Sequence, residues 1–141
     1  MITAELRDLD AQIHREVMGL HCEYAQYSWW DSEGMDGELW TSDRYEWWNT
    51  WDGKPTGEGV NRHWSRVPHY STNIASAWLV IERLKTHFRC SIRFSNKQVD
   101  WCWWCYLYSI DSDGKAEVVI QEESASLAIC LAALKFVRGV Q

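Results

Sequence analysis

The stretch that most restricts this chain is residues 101–110, which read Trp-Cys-Trp-Trp-Cys-Tyr-Leu-Tyr-Ser-Ile. A run so rich in aromatic side chains favours a β-strand. Successive side chains of a strand point to opposite faces. Trp101, Trp103, Cys105 and Leu107 therefore share one face, and Cys102, Trp104, Tyr106, Tyr108 and Ile110 share the other. Neither face is polar, so both need a cover. Helices of the same chain can supply one. The other calls for an additional layer, a second subunit or a ligand.

The flanking sequence supplies neighbours for this strand. Residues 89–95, 98–110 and 115–121 read as an antiparallel meander. Asn96-Lys97 makes the first turn and Asp113-Gly114 the second, a good tight-hairpin signal. Ala116, Val118 and Ile120 alternate with Lys115, Glu117, Val119 and Gln121, giving that edge strand one core face.

Three helices complete the pattern. Residues 3–18 carry Leu6, Leu9, Ile13 and Val17 at helical spacing, with Thr3 as N-cap and Gly19 as the stop. Residues 73–87 carry Ile74, Ala77, Trp78, Ile81, Leu84 and Phe88 as the expected buried face. Thr72 or Asn73 caps that start, and Tyr70 lies where a hydrophobic staple would sit. Residues 125–138 carry Leu127, Cys130, Leu131, Leu134 and Val137, with Ser124 as N-cap and Gly139 at the end. The expected fold is α+β: an α-β-α sandwich-type single domain over residues 1–141, a three- to four-stranded antiparallel meander packed with three helices.

Between these elements the character changes. From about 28 to 68 the chain is rich in Trp, Gly and acids, and Leu39, Val60 and Val67 are its only aliphatic residues. It reads as a Trp-rich acidic insertion, partly ordered, with a short hairpin around 38–48 after a short strand at 20–27. Residues 31–58 hold eight acidic and two basic side chains, a balance of −6, which accounts for the whole net charge of −6. The remainder is neutral, which argues against sequence-independent binding to duplex nucleic acid.

A chain of 141 residues can bury a core without disulfide or metal staples. The five cysteines are an odd number without framework spacing, which points to thiols in a reducing cytoplasm. Residues 1–25 hold no secretory h-region, and no apolar run reaches the roughly 18 residues of a membrane span. Cys102-Trp103-Trp104-Cys105 has the spacing of a redox or zinc motif. Within a strand, however, its sulfurs point to opposite faces, and no second pair exists at matching spacing. Asp111-Ser112-Asp113-Gly114 lacks the further ligands of a calcium loop and reads as a hairpin turn. No Gly-rich phosphate loop or nucleophile elbow occurs. No metal or cofactor is expected.

Three segments match a known family. They are Leu9 with Val17-Met18-Gly19, the run Tyr70-Ser71-Thr72-Asn73-Ile74-Ala75 with Ala77-Trp78, and the run from Ser126 to Lys135. Together they resemble the phage ABA sandwich domain, found in small proteins of phages and prophages. The resemblance covers the first 20 residues and 70–138. The family usually has Asp where this chain has Asn73, and Thr-Ala-Pro ahead of the last helix where this chain has Glu123-Ser124-Ala125-Ser126. Asn and Ser also cap helices well, so the departures leave the expected fold intact.

The family in turn is similar to the phage Thoeris anti-defence proteins. That similarity implies a non-enzymatic sponge in the host bacterial cytoplasm. It would bind cyclic ADP-ribose-type or cyclic oligonucleotide signals without cutting them, as a homo-oligomer (dimer or hexamer). Such a ligand needs aromatic faces for its base and arginines or helix N-termini for its phosphates. Trp101, Trp103, Trp104 and Tyr106 on the central strand are candidates for the first role, with Arg93, Asn96 and Lys97 beside them. Arg62, Arg66, His69, Tyr70 and Thr72 precede or open the second helix and are candidates for the second. The competing reading is that the Trp fill the core and the basic residues are solvated. A rival function is a phage protein that binds and inhibits a host protein through its acidic Trp-rich segment. A small hydrolase ranks last, because no nucleophile–base pair stands out.

Overall fold

Residues 125–138 are apolar on nearly every side, and the helix they form is buried accordingly. In the computed structural model, which describes residues 3–30, 39–50, 63–95, 101–110 and 115–139, this helix is the centre of the first of two compact units. That unit comprises Met1–Gly19 and Pro68–Gln141, and the second comprises Leu20–Val67.

The first unit holds α1 (Thr3–Gln12), which runs on as a π-helical turn over Ile13–Val17, and α2 (Ile74–Leu84). Its sheet has the order β4 (Phe88–Ser95), β5 (Cys102–Ser109) and β6 (Val118–Glu122), antiparallel throughout. α3 (Ala125–Val137) packs on β5 and β6 and also meets α2 and the π-helical turn. Its residues Ser126 to Cys130 and Ala132 to Leu134 are all buried. The meander has the expected order, with β5 central. The turns expected at 96–97 and 113–114 lie outside the described residues.

Helix boundaries follow the capping chemistry. The Ser124 hydroxyl accepts from the Leu127 N–H at 3.2 Å, and Asn73 Oδ1 accepts from the Ser76 N–H at 3.0 Å. Asn73, not Thr72, is therefore the N-cap of α2. Gly19 ends the first helical run at φ +70°, a conformation that favours glycine.

The face that α2 buries departs from expectation. Ala77, Val80 and Leu84 point inward, whereas Ile74 and Trp78 are about half exposed. Apolar residues nearly encircle this helix, so its pattern does not choose a face. Contact with α3 does, and small Ala77 permits a close approach.

The second unit is a sheet in the order β1 (Cys22–Trp30), β2 (Leu39–Thr50) and β3 (His63–Arg66), again antiparallel. The hairpin expected at 38–48 is instead one continuous 12-residue strand, paired with β1 from Leu39↔Trp30 to Asn49↔Cys22. Trp, Tyr and Thr are strong strand formers, and here they outweigh the shortage of aliphatic residues. Cys22, Trp48, Thr50 and Val67 are buried in this unit, and the Arg66 guanidinium lies 5.9 Å from the centre of the Trp48 ring.

Candidate functional site

The register of β4 on β5 sorts the central-strand side chains. Arg93 pairs with Trp104, Ser91 with Tyr106 and Arg89 with Tyr108. Paired residues share a face, so Arg89, Ser91 and Arg93 stand with Trp104, Tyr106 and Tyr108. On β6, Gln121 pairs with Trp104 and Val119 with Tyr106. The three rings form a ladder: Trp104 to Tyr106 at 6.3 Å and Tyr106 to Tyr108 at 6.4 Å, both stacked. The Arg93 guanidinium carbon lies 4.9 Å from the Tyr106 ring centre, and its Nε donates to Ser91 Oγ at 3.3 Å. Arg89 and Arg93 are exposed, while Trp104 and Tyr108 are half-buried. This face combines flat rings with guanidinium groups that can pair with a phosphate.

Trp101 and Trp103 belong to the opposite face. Trp101 is 62% exposed and stacks on Phe94 at 5.3 Å, and Trp103 meets Phe94 at 4.9 Å. They cannot join Trp104 and Tyr106 around one ligand, because the strand pleat separates them. The same pleat parts Cys102 from Cys105. Cys102 Sγ lies 2.9 Å from Gln121 Nε2, and Cys105 Sγ lies 3.7 Å from Cys90 Sγ.

The residues expected around the start of α2 divide differently. Tyr70 is 1% exposed, and its hydroxyl lies 2.9 Å from His14 Nδ1. It is a core residue and cannot reach a ligand. His69 and Thr72 are exposed, but the His69 carbonyl already accepts from the N–H groups of Thr72 and Asn73. Thr72 lines a hollow of about 350 Å³ together with Glu123 and Ser124. A carboxylate there disfavours a phosphate. Arg66 belongs to the second unit. Arg62, Asn96 and Lys97 lie outside the described residues.

Two features escaped the sequence reading. Arg89 and Gln121 join the aromatic face, which counting by twos from Arg93 and pairing across the Asp113-Gly114 turn would have revealed. The second feature is a buried polar lock. Asp10, 0% exposed, accepts from Arg7 Nη1 and from the Ser71 N–H, each at 2.7 Å, and Ser71 Oγ donates to the Leu6 carbonyl at 3.3 Å. A charged residue amid the apolar spacing of α1 was its only signal. This lock explains the Tyr70-Ser71-Thr72-Asn73 segment: Tyr70 and Ser71 anchor the turn on α1, and Asn73 then caps α2. Its burial makes it a structural fastening.

Among the described residues, no helix is long and apolar enough to cross a membrane. No curated protein matches the chain. Among solved structures, the chain is similar to a phage protein from Bacillus cereus ATCC 14579. The identity is 20%, the TM-score is 0.51, and the match covers 91% of this chain and 87% of the other. That likeness speaks for the fold. The family model for the phage ABA sandwich domain matches residues 12–134, the segment that carries both sheets, α2 and most of α3, and the chain belongs to that family.

Proposed function

We propose that this phage-family protein is a non-enzymatic sponge for a nucleotide immune signal of the cyclic ADP-ribose or cyclic oligonucleotide type. It acts in the host bacterial cytoplasm as a homo-oligomer. The observation that carries the reading is the placement of Arg93 over Tyr106, within the stacked Trp104–Tyr106–Tyr108 ladder. Tyr106 itself is buried, so a base would stack on half-buried Trp104 or Tyr108, a contact that contributes about 1–3 kcal/mol. Arg93 and Arg89 supply charge-assisted hydrogen bonds to phosphate oxygens. Exposed Gln121 offers an amide for a base edge or ribose hydroxyl. In this reading the ligand is held and not cut.

The test is a melting-temperature screen against cyclic ADP-ribose isomers and cyclic di- and trinucleotides. The protein is then heat-denatured and the released ligand analysed. A rise in Tm with intact ligand is expected. Altered ligand would turn the reading toward an enzyme. No shift with any nucleotide would sink it and leave the rival, capture of a host protein by the acidic Trp-rich segment.

A further inference from the structure

Strands β4 and β5 carry two thiols on the face turned toward the helices. Cys90 pairs with Leu107, and Cys105 pairs with Ile92, so the two cysteines are diagonal neighbours. Their sulfurs lie 3.7 Å apart. Nothing in the nucleotide-binding proposal uses them.

We propose that Cys90 and Cys105 form a reversible disulfide when the protein meets a peroxide. An S–S bond is about 2.0 Å long, so the sulfurs have less than about 2 Å to travel. Cys90 is half-buried, whereas Cys105 is fully buried. Cys90 also lines a cavity of about 110 Å³ with Val80, Lys85, Phe88, Leu107 and Ile129, ample for a molecule little larger than water.

The two thiols have unequal roles. A hydrogen bond from Cys105 holds the Cys90 thiol below its usual range, against the opposing effect of burial. The hydrogen bond to Cys90 and then burial push Cys105 up. Cys90 is thus the attacking sulfur. Its thiolate displaces hydroxide from the peroxide O–O bond, giving a Cys90 sulfenic acid, and the hydroxide leaves as water with the thiol proton. The Cys105 sulfur then attacks the Cys90 sulfur, the S–O bond breaks, and the departing oxygen takes the Cys105 proton as a second water. Two thiols are oxidised by two electrons and one peroxide is reduced to two waters.

The other thiols are poor substitutes. Cys102 is on the opposite face beside Gln121. Cys130 is buried in α3, where burial and then Asp10 push its thiol up. The experiment treats the folded protein with equimolar hydrogen peroxide, alkylates the remaining thiols, and maps peptides by mass spectrometry. The expected result is a loss of about 2 Da per chain and a cross-linked Cys90–Cys105 peptide, both reversed by dithiothreitol. Cys90→Ser and Cys105→Ser should each abolish the cross-link, and Cys102→Ser should retain it. The wild-type peptide map decides the matter even if a serine variant folds poorly. The proposal fails if Cys90 gains about 32 Da as sulfinic acid without cross-linking. It fails equally if a different pair is joined, or if neither thiol reacts in the folded protein.

Discussion

The Asp10 carboxylate accepts a 2.7 Å hydrogen bond from the Ser71 backbone N–H, joining α1 to the entry of α2 across 61 residues of sequence. Its second oxygen takes the Arg7 guanidinium at the same distance. A carboxylate at 0% exposure is tolerated only because both oxygens are occupied. Asp10→Ala removes the acceptor from a buried cation and a buried N–H at once. The expected loss is about 3–5 kcal/mol, read as a lower urea midpoint at an unchanged slope. Asp10→Asn keeps an acceptor for Ser71 and should lose less. A loss under about 1 kcal/mol for the alanine variant would show that the lock is not structural.

The caps of α2 and α3 make a second test. Ser124→Ala removes the acceptor for the Leu127 N–H and should cost about 1 kcal/mol, as should Asn73→Ala for Ser76. Asn73→Asp adds a favourable charge at the helix N-terminus. It should be neutral or stabilising by a few tenths of a kcal/mol. Thermal unfolding of the three variants settles the order.

Glu16 receives two hydrogen bonds from Arg138, at 2.8 and 2.7 Å, which tie the π-helical turn to the end of α3. That pairing, against a smaller effect of burial, holds the Glu16 carboxyl below its ordinary 4.5. A depressed carboxylate pKa adds stability above the unfolded value and loses it as pH falls through the folded one. Solvent screens this exposed pair, so Arg138→Ala should cost no more than about 1 kcal/mol at pH 7. The gap between variant and wild type should narrow as pH falls below 4.5. Urea midpoints collected across that range should converge, and a constant gap would contradict the pairing.

The proposed ligand face predicts a contrast between its two sides. Arg93→Gln removes the guanidinium over Tyr106 and should weaken binding of a responsive cyclic nucleotide by about tenfold or more, a loss of about 1.4 kcal/mol. Trp101→Ser alters an exposed ring on the opposite face and should bind like wild type. Calorimetric titration of both distinguishes a face-specific site from general loss of aromatic surface. Equal losses would remove the face from consideration.

Sequence alone determined the element order of the first unit, the three helices, the meander with its two-faced central strand, and the cap at Ser124, while it left the α2 cap between Thr72 and Asn73. These rest on local chemistry: period-2 alternation, helical spacing, and short polar side chains beside open N–H groups. It also separated Cys102 from Cys105, because a strand pleat obeys parity. Tertiary structure decided what parity and periodicity leave free. It turned Ile74 and Trp78 outward on a helix with apolar residues nearly all round, and it spent Tyr70 on His14. It placed residues 39–50 and 63–66 of the Trp-rich segment in a sheet whose stability depends on partners outside any one strand. It also set the β4–β5 register that brings Arg89 and Arg93 to the ladder. Which residues meet across strands is an energy of the assembled sheet, and no window of sequence contains it.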